Sequence, residues 1–479
     1  MTTDPDDGTS ADSDAGSGVS ADGGTAPDGG TGTSAGTADL TYPATDLRGF
    51  FREHFGPSML WALIGIGGSH VLLGPIVASA FGLFAVWMYL FIFAVRYGGW
   101  ELAVRYTYAT GRSPIEGYRS LPGPKNWALW LALANFTIIA AVVVASVGVT
   151  SAAFAAVVVP TSSVVLHVAL IGLAAVFVGV SRYGLLERVL TGFTVAVFLL
   201  IALGVLVGPP SPEVIGTTLL SVPELPVGLY VVLFVAAAGV TPAGFSNSVF
   251  LGSWTVAKQQ GARELTERGL DPENEATHEY IRAWVRTGKR DFNLGYAFSF
   301  LLLLAVVLLA ANVLYPTMPT DENFAVMIGS ILGETLGPWA FYAMVVGGFA
   351  AVFSTVIALL DGASRASSEV LSVVLDREFD DDGERRVRRA LVAAIALGGI
   401  VPVLAFGALP VTFALVITLT VAVVEVFYYP ANWYIVERDL PDPLRPSAGW
   451  RAYYAVSILL VVLFGLAAAA SELGLLGGG

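Results

Sequence analysis

Residues 62–75 read ALIGIGGSHVLLGP and set His70 beside Ser69, behind Gly65, Gly67 and Gly68, in an otherwise apolar stretch. Imidazole is a common metal ligand and titrates near neutrality, so His70 is a candidate metal ligand, proton carrier or donor to an organic solute. A second polar interruption lies in VVLFVAAAGVTPAGFSNSVFLGSW, residues 231–254, with Gly239, Thr241, Pro242 and Gly244 in mid-stretch. Proline lacks an N–H and obstructs the carbonyl four residues earlier, here that of Ala238, so one backbone acceptor loses its helical partner. Together, Ile64, Gly65, Ser69, His70, Ala238, Thr241, Pro242 and Ala243 could offer carbonyls, hydroxyls and one imidazole to a small solute. No Asp or Glu lies near either stretch in the sequence. Such a set suits a partly hydrated hard cation such as magnesium, which gives up its waters reluctantly. A carboxylate-bearing solute would instead meet the amide ends of broken helices. The plain structural alternatives are a His70 that bonds interrupted backbone and glycines that allow close helix packing.

Other ionisable groups stand inside apolar segments, where charge is costly and is either paired or functional. Glu425 in TVAVVEVFYY is a candidate carboxylate for substrate or coupling ion, or else the partner of an arginine. Arg96 and Glu101 are five residues apart and do not share a helix face, so each is expected to pair with another helix. Glu101 and Arg105 do share a face, as a gate or snorkelling pair. Asp361, preceded by Ser354 and Thr355, resembles the helix-8 polar stripe that holds sodium or lines the inner vestibule in related transporter folds, whereas His167 reads as a packing residue. GIGG has no preceding strand and no following Lys-Ser/Thr, so it is not a nucleotide loop. Nothing resembles a catalytic triad or a zinc-protease helix, and the chain is read as a non-enzyme without a cofactor.

These positions need elements that hold them in a bilayer. Of 479 residues, 55% are hydrophobic and 13% charged, with a mean hydropathy of +0.71, far too apolar for a soluble globule of this size. Eleven apolar segments occur, at about 58–80, 83–107, 127–159, 164–181, 185–207, 229–251, 294–313, 339–360, 391–406, 411–429 and 452–470. Most approach the 20 or so residues that span a hydrocarbon core of about 30 Å, and they are continuously apolar, so the fold is all-α and membrane-spanning. Apart from Arg96, Lys and Arg fall in every second connection, which puts the N-terminus in the cytoplasm and the C-terminus outside a cell membrane. Residues 1–47 read as a disordered acidic tail ahead of a transmembrane domain at 48–479. The formal charge of −13 disfavours a nucleic-acid partner and resembles adaptation to high salt, while the lack of cysteine excludes disulfides and thiolate sites. Membrane lipid, a small cation or solute, and a coupling proton or sodium are the expected partners. Interruptions at the first helix of each five-helix half point to inverted repeats and a midplane binding site.

The residues also carry a resemblance. GPSMLWALIGIGGSHVLLGPIVASAFGLFAVW, ATGRSP, NFTIIAAVVVASVG, GLLERV, AGVTPAGFSNS and FSTVIALLDG, in this order and spacing, resemble the Nramp family of proton-coupled divalent metal transporters. The resemblance implies a LeuT-type fold of two inverted five-helix repeats with helices 1 and 6 broken. It also implies metal ligands, and there the chain departs. The family's Asp-Pro-Gly-Asn in helix 1 falls on Gly67, Gly68, Ser69 and His70, and its Met-Pro-His in helix 6 on Thr241, Pro242 and Ala243. A second histidine falls on Ser248, acidic residues of helix 3 fall on Asn135, Val142 and Ala145, and the helix-10 glutamine has no counterpart. The resemblance therefore implies a divalent-cation transporter with altered site chemistry. Transport of amino acids or other organic solutes, and a non-transporting sensor or scaffold, remain the alternatives.

Overall fold

The computed structural model describes residues 40–180, 184–377 and 379–475. The tail up to residue 39 lies outside them, as do Ser181, the expected end of the fourth segment, and Arg182. Among the described residues the structure is helical, without strands.

Eleven helical stretches match the eleven apolar segments. Helix 1 is built from Pro57–Gly65, a π-helical turn Ile66–Leu73 and Gly74–Phe81, and helix 2 is Phe84–Thr110. Helix 3 joins Trp127–Ala134 and Ala140–Val158 through a π turn, followed by helix 4, Ser163–Gly179, and helix 5, Gly184–Val207. Helix 6 is Val227–Val240, then a non-helical stretch at 241–246, then Asn247–Ala257. Helix 7 is Glu275–Leu314, helix 8 Pro338–Leu375 and helix 9 Asp381–Phe406. Helix 10 comprises Pro410–Glu425 and Tyr428–Asp439, and helix 11 is Ala448–Glu472. Helices 3, 7, 8, 9, 10 and 11 are each long and apolar enough alone to cross a membrane. Helices 1 and 6 are interrupted, helix 4 is shorter, and helix 2 carries Arg96, Glu101 and Arg105. Helices 1–5 and 6–10 correspond to the two five-helix halves expected from the sequence, and helix 11 follows them.

The two interruptions differ in kind. In helix 6, Pro242 stops the hydrogen-bond ladder and the backbone leaves the helix. Helix 1 has no proline there and remains helical, widened so that the Gly74 N–H reaches the Ser69 carbonyl five residues back. The expected break at Gly65–His70 is therefore a π turn, and its glycines serve close approach. A Cβ on Gly65 would lie 2.1 Å from the Pro242 carbonyl oxygen, and one on Gly67 would lie 2.3 Å from Thr355 Oγ1 and 2.9 Å from the Ala351 oxygen.

Two boundaries also shift. Helix 7 starts at Glu275, where the apolar run starts only at residue 294, because Asn274 caps Ala276 N–H at 3.0 Å and the added turns carry charges beyond the apolar zone. Residues 40–47, expected in the tail, are tethered to the helices although most are exposed: Leu40 is buried, Thr41 N–H donates to Glu264 and Ala44 N–H to His54 Nε2.

Gly65→Ala is expected to lower the melting midpoint of the purified protein through overpacking on the order of 1–3 kcal/mol. Gly179→Ala, with nothing within 4 Å of its new methyl, should leave the midpoint unchanged or raise it. Equal midpoints for the two variants would contradict the close approach of helices 1 and 6.

Candidate functional site

The site begins with the carbonyls on either side of the helix-6 break, that of Ala238, which Pro242 strands, and that of Ala243. Arg96 of helix 2, 1% exposed, donates from Nη1 to Ala238 O and from Nη2 to Ala243 O, both at 2.7 Å, and its guanidinium lies 4.0 Å over the Phe245 ring. The arginine thus bridges the two sides of the helix-6 break and supplies donors where proline has none. Its expected partner on another helix is backbone, not a carboxylate.

Glu425 holds the other side. Its carboxylate accepts from Ser246 N–H at 2.8 Å and Ser246 Oγ at 2.6 Å, at the start of the second half of helix 6, where negative charge is favoured. This corrects one expectation, since an acidic residue does stand at a break, and of the two readings of Glu425 the hydrogen bonds are those of a carboxylate held by Ser246. Helix 1 joins the same point, since Ser69 Oγ lies 2.9 Å from Pro242 O and 2.7 Å from Gly65 O.

Between helices 1, 3, 6, 8 and 10 these contacts leave a cavity of about 100 Å³. Its polar lining is Ser69, Asn135, Ser146, Ser246, Asn247, Thr355, Thr418 and Glu425, with Gly65, Gly68, Ala243, Phe136, Phe250 and Leu359 among the apolar walls. Asn135 Nδ2 donates to Tyr428 OH at 2.9 Å, which leaves its amide oxygen for the cavity. Asn247 also lines the cavity, and among the described residues its side chain has no hydrogen-bond partner. Ser146, Ser246, Asn247 and Thr418 were not among the candidates read from the sequence. Ser246 and Asn247 belong to the helix-6 stretch itself, three and four residues beyond Ala243, the last binding candidate named there.

Of the predicted binding residues, Gly65, Gly68, Ser69 and Ala243 line the cavity; Gly67, His70, Ala238, Thr241 and Pro242 do not. The Ile64 side chain lies outside the described residues. His70 is a correction. It is fully buried, with Nδ1 2.7 Å from Ser69 Oγ and Nε2 2.8 Å from the Ser299 carbonyl of helix 7, so both ring nitrogens are engaged within the protein. It ties helix 1 to helix 7 and does not offer a ligand lone pair to the cavity. Gly67 packs against helix 8, where the aspartate of the family pattern would meet Thr355.

The coupling candidates separate in the same way. Thr355 lines the cavity, while Ser354 donates to Ala351 O one turn back. Asp361 is paired with Arg365 and Arg388, each at 2.8 Å, and two flanking guanidiniums leave no place for sodium. Glu101 accepts from Arg105 at 2.6 Å, Lys289 at 2.8 Å and Tyr454 OH at 2.6 Å, joining helices 2, 7 and 11 away from the cavity. Among the described residues no three of His, Asp and Glu gather to hold a metal. The cavity thus combines one carboxylate with neutral oxygens.

A family model described as natural resistance-associated macrophage protein-like (Nramp) matches residues 76–470, beginning just past the π turn of helix 1. Among solved structures, the chain is similar to a histidine-to-alanine mutant of the manganese transporter of Eremococcus coleocola, with a TM-score of 0.64 and 11% identity over 92% of this chain and 91% of that one. The same transporter in complex with an aromatic bis-isothiourea substituted compound gives a TM-score of 0.59 at 9% identity over 92% and 91%. At such identity the likeness is one of fold. An uncharacterized protein of Pasteurella multocida (strain Pm70) is 23% identical over 331 residues, 67% of this chain and 71% of the relative. The chain is a multi-pass membrane protein of the Nramp family.

Proposed function

We propose that the protein is a secondary-active transporter of a divalent cation carried with part of its hydration shell, and that magnesium is the ion its cavity suits best. The observation that carries this reading is Glu425, a carboxylate lining a cavity whose other polar donors are neutral oxygens. Magnesium is usually held by one or two carboxylates while keeping several waters. Imidazole and thioether ligands favour later transition metals, and no His or Met is among the lining residues. A cavity of about 100 Å³ has room for roughly half a dozen waters around an ion.

In this account Glu425 supplies the charge. Ser246 uses two of the roughly four acceptor positions of the carboxylate, which leaves others for a cation or its waters. Asn247, Asn135, Ser146 and Thr355 add neutral oxygens. Since Asn135, Val142 and Ala145 stand where the family pattern has acids, Glu425 is the lining group at which a proton would compete with the cation. Arg96 acts as a positioning residue that holds the helix-6 break in shape. Arginine and lysine placement supports a plasma-membrane protein with its N-terminus in the cytoplasm and its C-terminus outside.

In proteoliposomes the protein is expected to take up magnesium in preference to manganese. Glu425→Gln keeps an acceptor for Ser246 but removes the charge, and should cut uptake more than about tenfold. Magnesium uptake unchanged in this variant would overturn the assignment, amino-acid flux without cation flux would favour an organic solute, and absence of any flux would favour a sensor or scaffold.

Arg96→Met strands two buried carbonyls, and each lost charge-assisted bond is worth about 1.5–3 kcal/mol. The variant should melt at a lower temperature and bind magnesium more weakly in calorimetry. Wild-type melting and binding would show that Arg96 does not hold the break.

A further inference from the structure

We infer that the groove between helices 2, 7 and 11 is a binding seat for one anionic glycerophospholipid. The groove is a shallow, open depression of about 860 Å³, lined by Phe93 and Tyr97 on helix 2, Tyr296 and Phe300 on helix 7, and Trp450 and Tyr453 on helix 11. The tyrosine hydroxyls are fixed to the protein: Tyr97 OH donates to Asn293 Oδ1 at 2.8 Å, Tyr296 OH to Phe93 O at 2.7 Å and Tyr453 OH to Ala94 O at 2.6 Å. The rings are therefore set as walls before anything binds, and dispersion with an acyl chain needs no rearrangement of them.

Charge lies at one end only. Arg286, Arg290, Asn293, Ala297 and Phe300 recur three to four residues apart along helix 7 and so share a face that runs from basic to apolar. Arg286 and Arg290 are exposed and have no ion pair among the described residues. Lys289, paired with Glu101, lies 5.0 Å over the Trp450 ring at the same end. Four basic residues within 282–290 stand out in a chain of net charge −13, and they complement an anionic headgroup. The N-terminus of helix 11 adds to this, because Ser447 and Gly449 line the groove there and the Ser447 side chain does not cap the helix.

The length commits the occupant. From Arg290 to Phe300 the helix rises about 15 Å, half of a hydrocarbon core of about 30 Å, so the groove extends through one leaflet. A headgroup at the arginines and an acyl chain along the rings fill it. Such a lipid would join helix 11, which lies outside the two five-helix halves, to helices 2 and 7.

The test is lipid retention. Purified protein in maltoside micelles is titrated with phosphatidylglycerol or phosphatidylcholine, and bound lipid is counted by native mass spectrometry. Phosphatidylglycerol should be retained over phosphatidylcholine, and Arg286→Ala and Arg290→Ala, both at exposed positions, should each weaken retention about fivefold. Ala297→Trp, or Ala297→Phe if the first variant does not fold, fills the groove and should abolish retention. Equal retention of the two headgroups, or wild-type retention in the groove-filling variant, would overturn the proposal.

Discussion

The hydrogen bonds from Arg96 to Ala238 and Ala243 are the interaction on which the centre of this molecule depends. A proline in mid-membrane strands a carbonyl where no water can satisfy it, and an unsatisfied backbone group in hydrocarbon costs several kcal/mol. A buried arginine solves that problem at 2.7 Å twice over, and in doing so brings a permanent positive charge next to the break. Arginine suits the task because its planar fork presents paired donors in fixed geometry and its face can rest on an aromatic ring, here that of Phe245.

The remainder of the site follows from holding that break against its neighbours. Gly65 lets helix 1 come close enough for Ser69 to reach Pro242, and Gly67 does the same toward helix 8. His70 anchors the π turn to helix 7. Glu425 secures Ser246 and completes a polar cavity between fixed walls. One arginine outside the cavity and one carboxylate lining it give the region a nearly balanced charge before cargo arrives, with the negative group on the side a cation can reach.

Much of this was readable in the sequence, for reasons that can be named. Continuous apolar runs identify the spans, and Pro242 identifies both the helix-6 break and the carbonyl that loses its partner. That Arg96 would bond to another helix follows from the cost of burying it alone. The nature of the helix-1 interruption was not readable, because glycine permits unwinding, a π turn or close packing alike, and the neighbour decides between them. His70 looked like a ligand since its partner Ser299 is 229 residues away, and Glu425 seemed remote from both breaks although it touches Ser246, 179 residues away. Asp361 shows the reverse error: its pairing with Arg388 on helix 9 removes a site that local spacing made plausible.

The central claim is that cargo sits at the Glu425 side of the helix-6 break and not at the π turn of helix 1. A structure of the protein determined with magnesium bound tests it most directly. The account predicts a cation in the cavity beside the Glu425 carboxylate, with waters or direct oxygen ligands at about 2.0–2.1 Å. A cation coordinated by His70, or located away from Glu425, would contradict it.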